Sequence, residues 1–409
     1  MACVNFAVAG IDVSRNKVTV CILEELPDDL KRFKSKWKRQ EFKADTEGIR
    51  ALLALPFHGA VLEPTGGHYS KIWAHHLEKA GKVVRWVGHQ EIAAYRESWK
   101  VFNKSDRMDA IALAAYGLER WNRPQFFLSP RQTELREIYY QLEHMNRAKN
   151  PIVNRLRQQL AHELPEWSEK RAARNWLQPS PPGIWRAIAG ERLTPKWEND
   201  LNNSIGMGLS QFSRHEAALL CELERQEYQL ELQLDGVLKS PEYAPYIAVF
   251  DQFAIGDRTA ASLLSAIYPI AKFLDNGREI TEHTITSNGK RARRNHSLSK
   301  FKLACGVGMV WYQSGNVSKW VPGGRSDVRI ALWRWAKVAV VMAPNPDLPE
   351  ITRLHNYYQK GTTVVVEGEE QHLSPGIRNQ KIMRVVRRML ERLYKQLLSV
   401  AKGEAFTSP

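Results

Sequence analysis

Four carboxylates are the residues of this chain whose types and positions point to chemistry. Asp12 closes an apolar run, Glu63 closes Ala60-Val61-Leu62 just before Pro64-Thr65-Gly66-Gly67, and Asp106 and Asp109 stand three apart where a helix should begin. Residues three apart on a helix lie roughly 5 to 6 Å from each other at Cβ, so these two can serve one point. Carboxylate oxygens suit hard Mg²⁺ or Mn²⁺. Two such ions about 3.5 to 4 Å apart would stabilise the attacking and leaving oxygens of a phosphoryl transfer. Each acid also has a plain structural reading. An Asp ending a strand is commonly a turn residue, and Asp106 and Asp109 behind a Ser105 N-cap complement a helix dipole. Glu63 is harder to explain as structure, because Glu is a poor strand residue in an apolar run.

The elements that must position these acids follow from pattern. Val4–Val13 and Val18–Leu23 read as two β-runs joined by Ser14-Arg15-Asn16-Lys17, a composition that suits a hairpin. Apolar runs at Ala60–Leu62 and Lys82–Val87 alternate with helical patterns at Thr46–Leu55, Tyr69–Ala80 and Ser105–Arg120, the signature of a mixed α/β sheet. A first domain is expected over residues 1–128, with Asp12 and Glu63 at strand ends, where sites collect in α/β sheets. From Arg131 the pattern turns helical, with Leu135, Ile138, Leu142 and Met145 at spacings of three and four. Asn150-Pro151 then supplies an N-cap and first-turn proline for a kinked or restarted segment carrying Ile152, Leu156 and Leu160. A matching run from His215 to Leu238 makes with it either an antiparallel coiled-coil arm or two core helices of a bundle. Residues 164–206 between them, rich in Pro, Trp and Asn, read as a loop-bearing insertion. The helical linker thus spans 129–244 and a third region 245–409. That region opens with Phe253–Ile267, whose Ile255-Gly256-Asp257-Arg258 start is either an ordinary helix start or a place for backbone amides to meet a phosphate. It closes with a basic amphipathic helix over Asn379–Val400.

Charge narrows the partner. The 409 residues carry 59 Lys and Arg against 44 Asp and Glu, a net +15, which points to a polyanion and hence to nucleic acid. Residues 286–340 alone hold eleven Lys and Arg against the single acid Asp327, more than a solvated charged face explains. Lys290, Arg291, Arg293, Arg294, Lys319, Arg325 and Arg329 are the candidate nucleic-acid contacts in this stretch. The cysteines, Cys3, Cys21, Cys221 and Cys305, lie far apart without metal-ligand spacing, which excludes a zinc ribbon and a disulfide framework and reads as a reducing compartment. No apolar run approaches the roughly 18 residues of a membrane span, and no signal-peptide order opens the chain, so a cytoplasmic, nucleoid-associated protein is expected.

Three segments carry a family resemblance. Gly10-Ile11-Asp12-Val13-Ser14-Arg15-Asn16-Lys17, Glu63-Pro64-Thr65-Gly66-Gly67-His68-Tyr69 and Asn103-Lys104-Ser105-Asp106-Arg107-Met108-Asp109-Ala110 closely resemble the three signatures of the DEDD insertion-sequence transposases. The resemblance implies an α/β N-terminal domain that is RuvC-like, hence RNase H-like, with Asp12, Glu63, Asp106 and Asp109 as its metal ligands. It further implies a mainly α C-terminal transposase domain after the long helical coiled-coil linker. Gly306-Val307-Gly308-Met309 and Tyr312-Gln313-Ser314-Gly315 resemble the segment carrying the family's serine nucleophile, which places that role on Ser314, with Ser318 as the competing position. A serine needs a base or a metal to react at neutral pH. In a small-residue loop Ser314 would be exposed to a phosphate, with Arg325 and Arg329 able to hold a non-bridging oxygen in bidentate fashion. The chain departs from the family pattern after this serine: only Ser318-Lys319-Trp320 matches, with Pro322-Gly323-Gly324 inserted.

What the resemblance implies is a transposase acting as a site-specific recombinase. Ser314 would cleave and rejoin DNA through a phosphoserine link, the four acids would bind Mg²⁺ (or Mn²⁺), and donor and target DNA would be paired by an element-encoded guide (bridge) RNA. Some 200 residues separate the serine from the last acid, so the site is expected to form between subunits of a homo-oligomer, a dimer or tetramer, held by the arm at 131–238. Two other classes use parts of the same set. A RuvC-like junction-resolving nuclease would use the acids without Ser314, and a non-catalytic nucleic-acid-binding protein would need only the basic patches.

Overall fold

The computed structural model describes residues 6–64, 69–100, 105–170, 172–191, 194–285, 291–314, 317–366 and 369–402. The chain divides into two compact units, Met1–Thr133 and Glu134–Pro409.

The first unit is built on a five-stranded sheet: β1 (Val8–Val13), β2 (Lys17–Leu23), β3 (Gln40–Lys43), β4 (Gly59–Leu62) and β5 (Val83–Trp86). Their order is β3-β2-β1-β4-β5. The first three are antiparallel neighbours, while β1 with β4 and β4 with β5 run parallel, an arrangement consistent with an RNase H-like domain. The expected hairpin is present: the Ser14 amide and hydroxyl both donate to the Lys17 carbonyl, each at 2.9 Å. Five helices accompany the sheet: α1 (Leu30–Lys36), α2 (Thr46–Leu53), α3 (Tyr69–Lys79), α4 (His89–Ser98) and α5 (Asp106–Arg120).

Strand alternation sorts the sheet into two covered faces, which is why the central strands read as continuous apolar runs. Ala9, Ile11, Val13, Ala60 and Leu62 pack with Leu52 of α2 and Trp73 and Leu77 of α3. Val8, Cys21, Leu23 and Val61 pack on the other side with α5, whose residues Met108 to Tyr116 are all buried in one cluster or paired within it. The approach of α5 is set by glycine. A Cβ on Gly10 would stand 2.2 Å from the Ala110 carbonyl oxygen and 2.2 Å from the Ala114 amide nitrogen, and one on Gly117 would strike Val61 and Val8. Residue 117 therefore lies over the start of β1 and residues 110 and 114 over its middle. The helix runs antiparallel to β1, and its N-terminus points towards Asp12.

In the second unit, α6 (Pro130–Glu163) continues past Thr133 and lies beside α10 (Gln211–Leu238). The pairs Lys149 with Glu224 (2.8 Å), Arg155 with Glu216 (2.6 Å) and Glu163 with Ser210 (2.6 Å) show the two running antiparallel. The expected restart at Pro151 does not occur: the proline lies inside one 34-residue helix. A proline inside a helix costs about 3 kcal/mol through its missing amide hydrogen and the clash of its ring with the preceding turn, and packing against α10 on both sides of the proline offsets it. A buried ion network ties this pair together. Glu224, Glu227 and Glu231, on one face of α10, meet Lys149, Arg174 and Arg258, with Arg174 reaching Glu224 at 3.0 Å and Glu231 at 2.5 Å and Arg258 reaching Glu231 at 2.9 Å.

The 164–206 region is not loop alone. It contributes short helices α7 (Pro165–Ser168), α8 (Gly183–Ile188) and α9 (Pro195–Asn202), whose Trp167, Ile184, Trp185 and Ile188 form a core with Leu156, Leu160, Leu164, Leu220 and Cys221. The remaining helices, α11 (Ala244–Asp251), α12 (Asp257–Ile267), α13 (His296–Ala304), α14 (Ser326–Trp335), α15 (Pro349–Gln359) and α16 (Pro375–Ala401), build the largest core together with Leu135, Ile138 and Leu142 of α6. The apolar stripe of α16, from Ile382 to Leu397, is buried there. Three two-stranded hairpins accompany these helices: β6 (Thr281–Ile285) with β7 (Arg291–Asn295), β8 (Met309–Ser314) with β9 (Val317–Pro322), and β10 (Thr363–Val366) with β11 (Glu369–His372). No described helix is long and apolar enough to cross a membrane.

Candidate active site

The acids are brought together by backbone before any side chain is considered. Ile11 of β1 pairs with Leu62 of β4 in parallel register, so Asp12 and Glu63 follow at the ends of adjacent strands, which lie about 4.8 Å apart. By alternation, Asp12 shares the side of Val8 and Gly10, and Glu63 that of Val61, which is the α5 side. Ser105 caps α5, its hydroxyl accepting from the Met108 amide at 3.3 Å. Asp106 and Asp109 thus occupy the first turn of the helix that points at Asp12, and a helix N-terminus favours negative charge.

Four carboxylates at one sheet edge repel one another unless cations offset them. Here the partners are side chains, two arginine cations and a histidine that is charged only when protonated. Arg39 Nη2 lies 3.2 Å from Asp106 Oδ2 and 3.3 Å from the hydroxyl of Thr19, the register partner of Asp12. Arg96 Nε stands 3.1 Å from Asp109 Oδ1, with only 6% of the Asp109 side chain exposed. His89 Nδ1 stands 2.5 Å from Glu63 Oε2. His89 and Arg96 are seven residues apart on α4 and so share a helix face. Sequence reasoning missed all three partners, and α4 with them, because that helix has no clean apolar stripe. Its one signal is the spacing of a His and an Arg at two turns.

Among the described residues, no group of three or more His, Cys, Asp or Glu side chains is arranged to hold a metal ion. The donor set and the backbone placement nevertheless fit a hard divalent cation: four oxygen-bearing side chains at one end of two adjacent strands and one helix turn. To ligate one, Asp106, Asp109 and Glu63 would exchange Arg39, Arg96 and His89 for it.

Ser314 lies in the other unit. The loop expected around it is instead the end of a hairpin: Ser314 is the last residue of β8 and pairs with Val317. The consecutive Val310, Trp311 and Tyr312 favour strand, and Gly315-Asn316, outside the described residues, is a composition suited to a two-residue connection. The competing Ser318 pairs with Gln313 one step further down. The basic residues divide into two sets. Arg291, Arg293 and Arg294 of β7 and Lys319 of β9 are exposed, and Lys290 lies outside the described residues. Arg325 and Arg329 have internal partners. Arg325 holds Asp327 at 2.5 Å and donates to Ser265 Oγ at 2.8 Å, and Arg329 donates to the Gly306 carbonyl at 2.9 Å. Burial pushes the Arg325 pKa down, but the Asp327 carboxylate outweighs this and holds it above the usual arginine value. Their sequence reading as phosphate clamps therefore meets a structural role for both side chains. The α12 start at Gly256 has a structural role too, with Arg258 directed to Glu231 at 2.9 Å.

The comparisons with known proteins bear on the first unit and the beginning of the arm. A family model described as Transposase, for the DEDD transposases of the IS110 type, matches residues 9–165. No curated protein matches the chain. The matched segment includes the five-stranded sheet, the capped α5 and all four acids, and ends before Ser314. Over residues 9–165 the chain is thus similar to the DEDD family of insertion-sequence transposases.

Proposed function

We propose that this chain is a transposase acting as a site-specific DNA recombinase that cleaves and rejoins strands through a covalent phosphoserine. Ser314 Oγ attacks a backbone phosphorus, forming an O–P bond while the bond to the 3′-oxygen breaks. The serine proton passes to a nearby base and the departing oxygen leaves as a 3′-hydroxyl. Reversal by a different 3′-hydroxyl rejoins the strands. The observation that carries the reading is the gathering of Asp12, Glu63, Asp106 and Asp109 at one edge of the β1–β4 pair under the N-terminus of α5. These acids would hold Mg²⁺ or Mn²⁺, which when bound lowers the pKa of a coordinated hydroxyl and offsets charge on a leaving oxygen. In the same reading Arg291, Arg293, Arg294 and Lys319 contact phosphates of donor and target DNA, and an element-encoded guide RNA supplies sequence recognition by pairing.

The test is incubation of purified protein with the flanking noncoding RNA of its element, a DNA junction and Mg²⁺, followed by a search for a protein–DNA adduct that survives denaturation. An adduct lost in Ser314→Ala and without divalent metal is expected. Cleavage without an adduct would move the reading to a junction-resolving nuclease, and neither product would leave a binding protein. We extend the proposal to a homo-oligomer in which one protomer supplies acids and another the serine. Mixing Ser314→Ala with Asp12→Ala protein should then restore adduct formation.

A further inference from the structure

The β8–β9 hairpin carries a feature that cleavage chemistry alone does not require. Its register places Trp311 opposite Trp320 and Tyr312 opposite Lys319. The two indoles meet at 5.4 Å with their planes 67° apart, yet each remains largely exposed, Trp311 at 53% and Trp320 at 61%, with Tyr312 at 48%. Large aromatic side chains bury the most apolar surface of any residue, and such a cluster held in water on a two-stranded ribbon marks an interaction surface. At the base of the hairpin the Gly323 backbone packs closely, since a Cβ there would strike Val310 and Leu303, although the Met309 and Val310 side chains are still partly exposed. The ribbon presents its aromatics midway along its length, with the Tyr312–Lys319 pair two register positions from Ser314 and the tryptophan pair three.

We propose that one face of this hairpin is a stacking platform for an unpaired DNA strand, with bases laid on Trp311 and Trp320, while Tyr312 and Lys319, one register step away, occupy the opposite face of the ribbon. The charge of the surrounding sequence selects the partner. Residues 286–340 carry eleven Lys and Arg against one acid, which suits a polyanion and disfavours an acid-poor protein surface or a second copy of this basic chain. Exposed aromatic faces beside cations are what an unstacked strand requires, because every base has a π-face, whereas a duplex keeps its faces buried. The location beside the cleaved phosphate rests on the assignment of Ser314 as nucleophile. On that reading the platform would hold a strand open next to the bond that Ser314 attacks.

The experiment uses the full chain and a labelled oligothymidylate of about 16 nucleotides, the upper end of ordinary single-strand site sizes. Binding is followed by anisotropy, and stacking by the quenching of a 2-aminopurine placed in the strand. Trp311→Ala and Trp320→Ala should each weaken single-strand binding about 5- to 100-fold, the range that loss of one base–aromatic stack gives, and should abolish the quenching. Trp320→Phe keeps an aromatic face and should retain most of both. Duplex binding should change little. Unchanged single-strand binding in the alanine variants, equal loss in Trp320→Phe and Trp320→Ala, or a change in oligomeric state with DNA binding intact would each overturn the proposal. So would a preference of the same tryptophans for RNA of the same sequence. Adduct formation separates the two readings: an adduct without tryptophan-dependent stacking removes the platform alone, and stacking without an adduct removes the Ser314 mechanism alone.

Discussion

Asp109 and Asp106 are three residues apart and differ in what their pairing is worth. Asp109 and Arg96 are both nearly buried, with 6% and 12% of their side chains exposed, whereas Asp106 is 56% exposed beside an exposed Arg39. Removing one member of a buried pair leaves an uncompensated charge, which costs about 3 to 5 kcal/mol; exposed pairs contribute about 0 to 1 kcal/mol. Arg96→Gln should therefore lower unfolding stability in urea by about 3 kcal/mol, while Arg39→Gln should change it by less than about 1 kcal/mol. An equal effect of the two would show that Asp109 does not depend on Arg96. If the four acids receive a divalent cation, Mn²⁺ should raise the melting temperature of the wild-type protein by mass action on the folded state. Asp12→Asn and Asp109→Asn should each lose most of that rise, and a persistent rise in both would place the ion elsewhere.

At the scale of elements, the position of the acids depends on how closely α5 approaches β1. Gly10 faces the backbone of α5 at a distance where a methyl group cannot fit, and backbone cannot rotate away as a side chain can. Gly10→Ala should destabilise the protein by about 1 to 3 kcal/mol, the usual range for overpacking, and should reduce Mn²⁺ binding because it displaces the turn carrying Asp106 and Asp109. A melting curve and a metal titration on one preparation would show both effects; loss of stability with unchanged metal binding would separate packing from site. Gly10 stands in the same motif as Asp12, which explains how the first unit could be read from sequence. Its strands are apolar runs, its hairpin and helix cap use ordinary turn and capping residues, and its acids fall at element ends. Less was legible where the signal was weak. The edge strand β3 is polar, α4 has no clear stripe, and in the second unit β6 and β7 are mostly polar while β8 and β9 carry exposed aromatics that no core covers. The sequence around Ser314 therefore reads as loop. Asn150-Pro151 reads as a restart because local propensity favours one, and only the packing of α6 against α10 overrides it. That pairing carries its own pH dependence. Burial pushes the Glu227 carboxyl up, but Arg258 and Lys149 outweigh it and hold its pKa below the usual glutamate value. A lowered folded-state pKa contributes stability that is present above the unfolded value, about 4.3, and lost as pH falls through the folded one. Urea midpoints should thus decline more steeply below about pH 4.3 in the wild type than in Glu227→Gln, and parallel profiles would remove Glu227 as the cause.

Across the whole molecule, a net charge of +15 sets how the chain meets a polyanion. Each phosphate neutralised releases condensed counterions, so the logarithm of the binding constant falls with the logarithm of salt concentration with a slope of about −0.9 per contact on duplex DNA. The exposed set Arg291, Arg293 and Lys319 and the internally paired Arg325 should behave differently under this measurement, although all belong to the same basic stretch. Replacing the first three with Gln should make the slope shallower by about 2.7 if each meets one phosphate. It should leave unfolding stability almost unchanged, because surface substitutions usually fall within about 0.5 kcal/mol. Arg325→Gln should do the reverse. It leaves Asp327 without its bidentate partner and Ser265 without its donor, so stability falls while the salt slope of the remaining folded protein stays as it was. Filter binding or anisotropy between about 50 and 200 mM salt, beside urea melts of the same variants, measures both quantities. A slope that changes with Arg325→Gln and not with the exposed triple variant would reverse the assignment and return Arg325 to the phosphate.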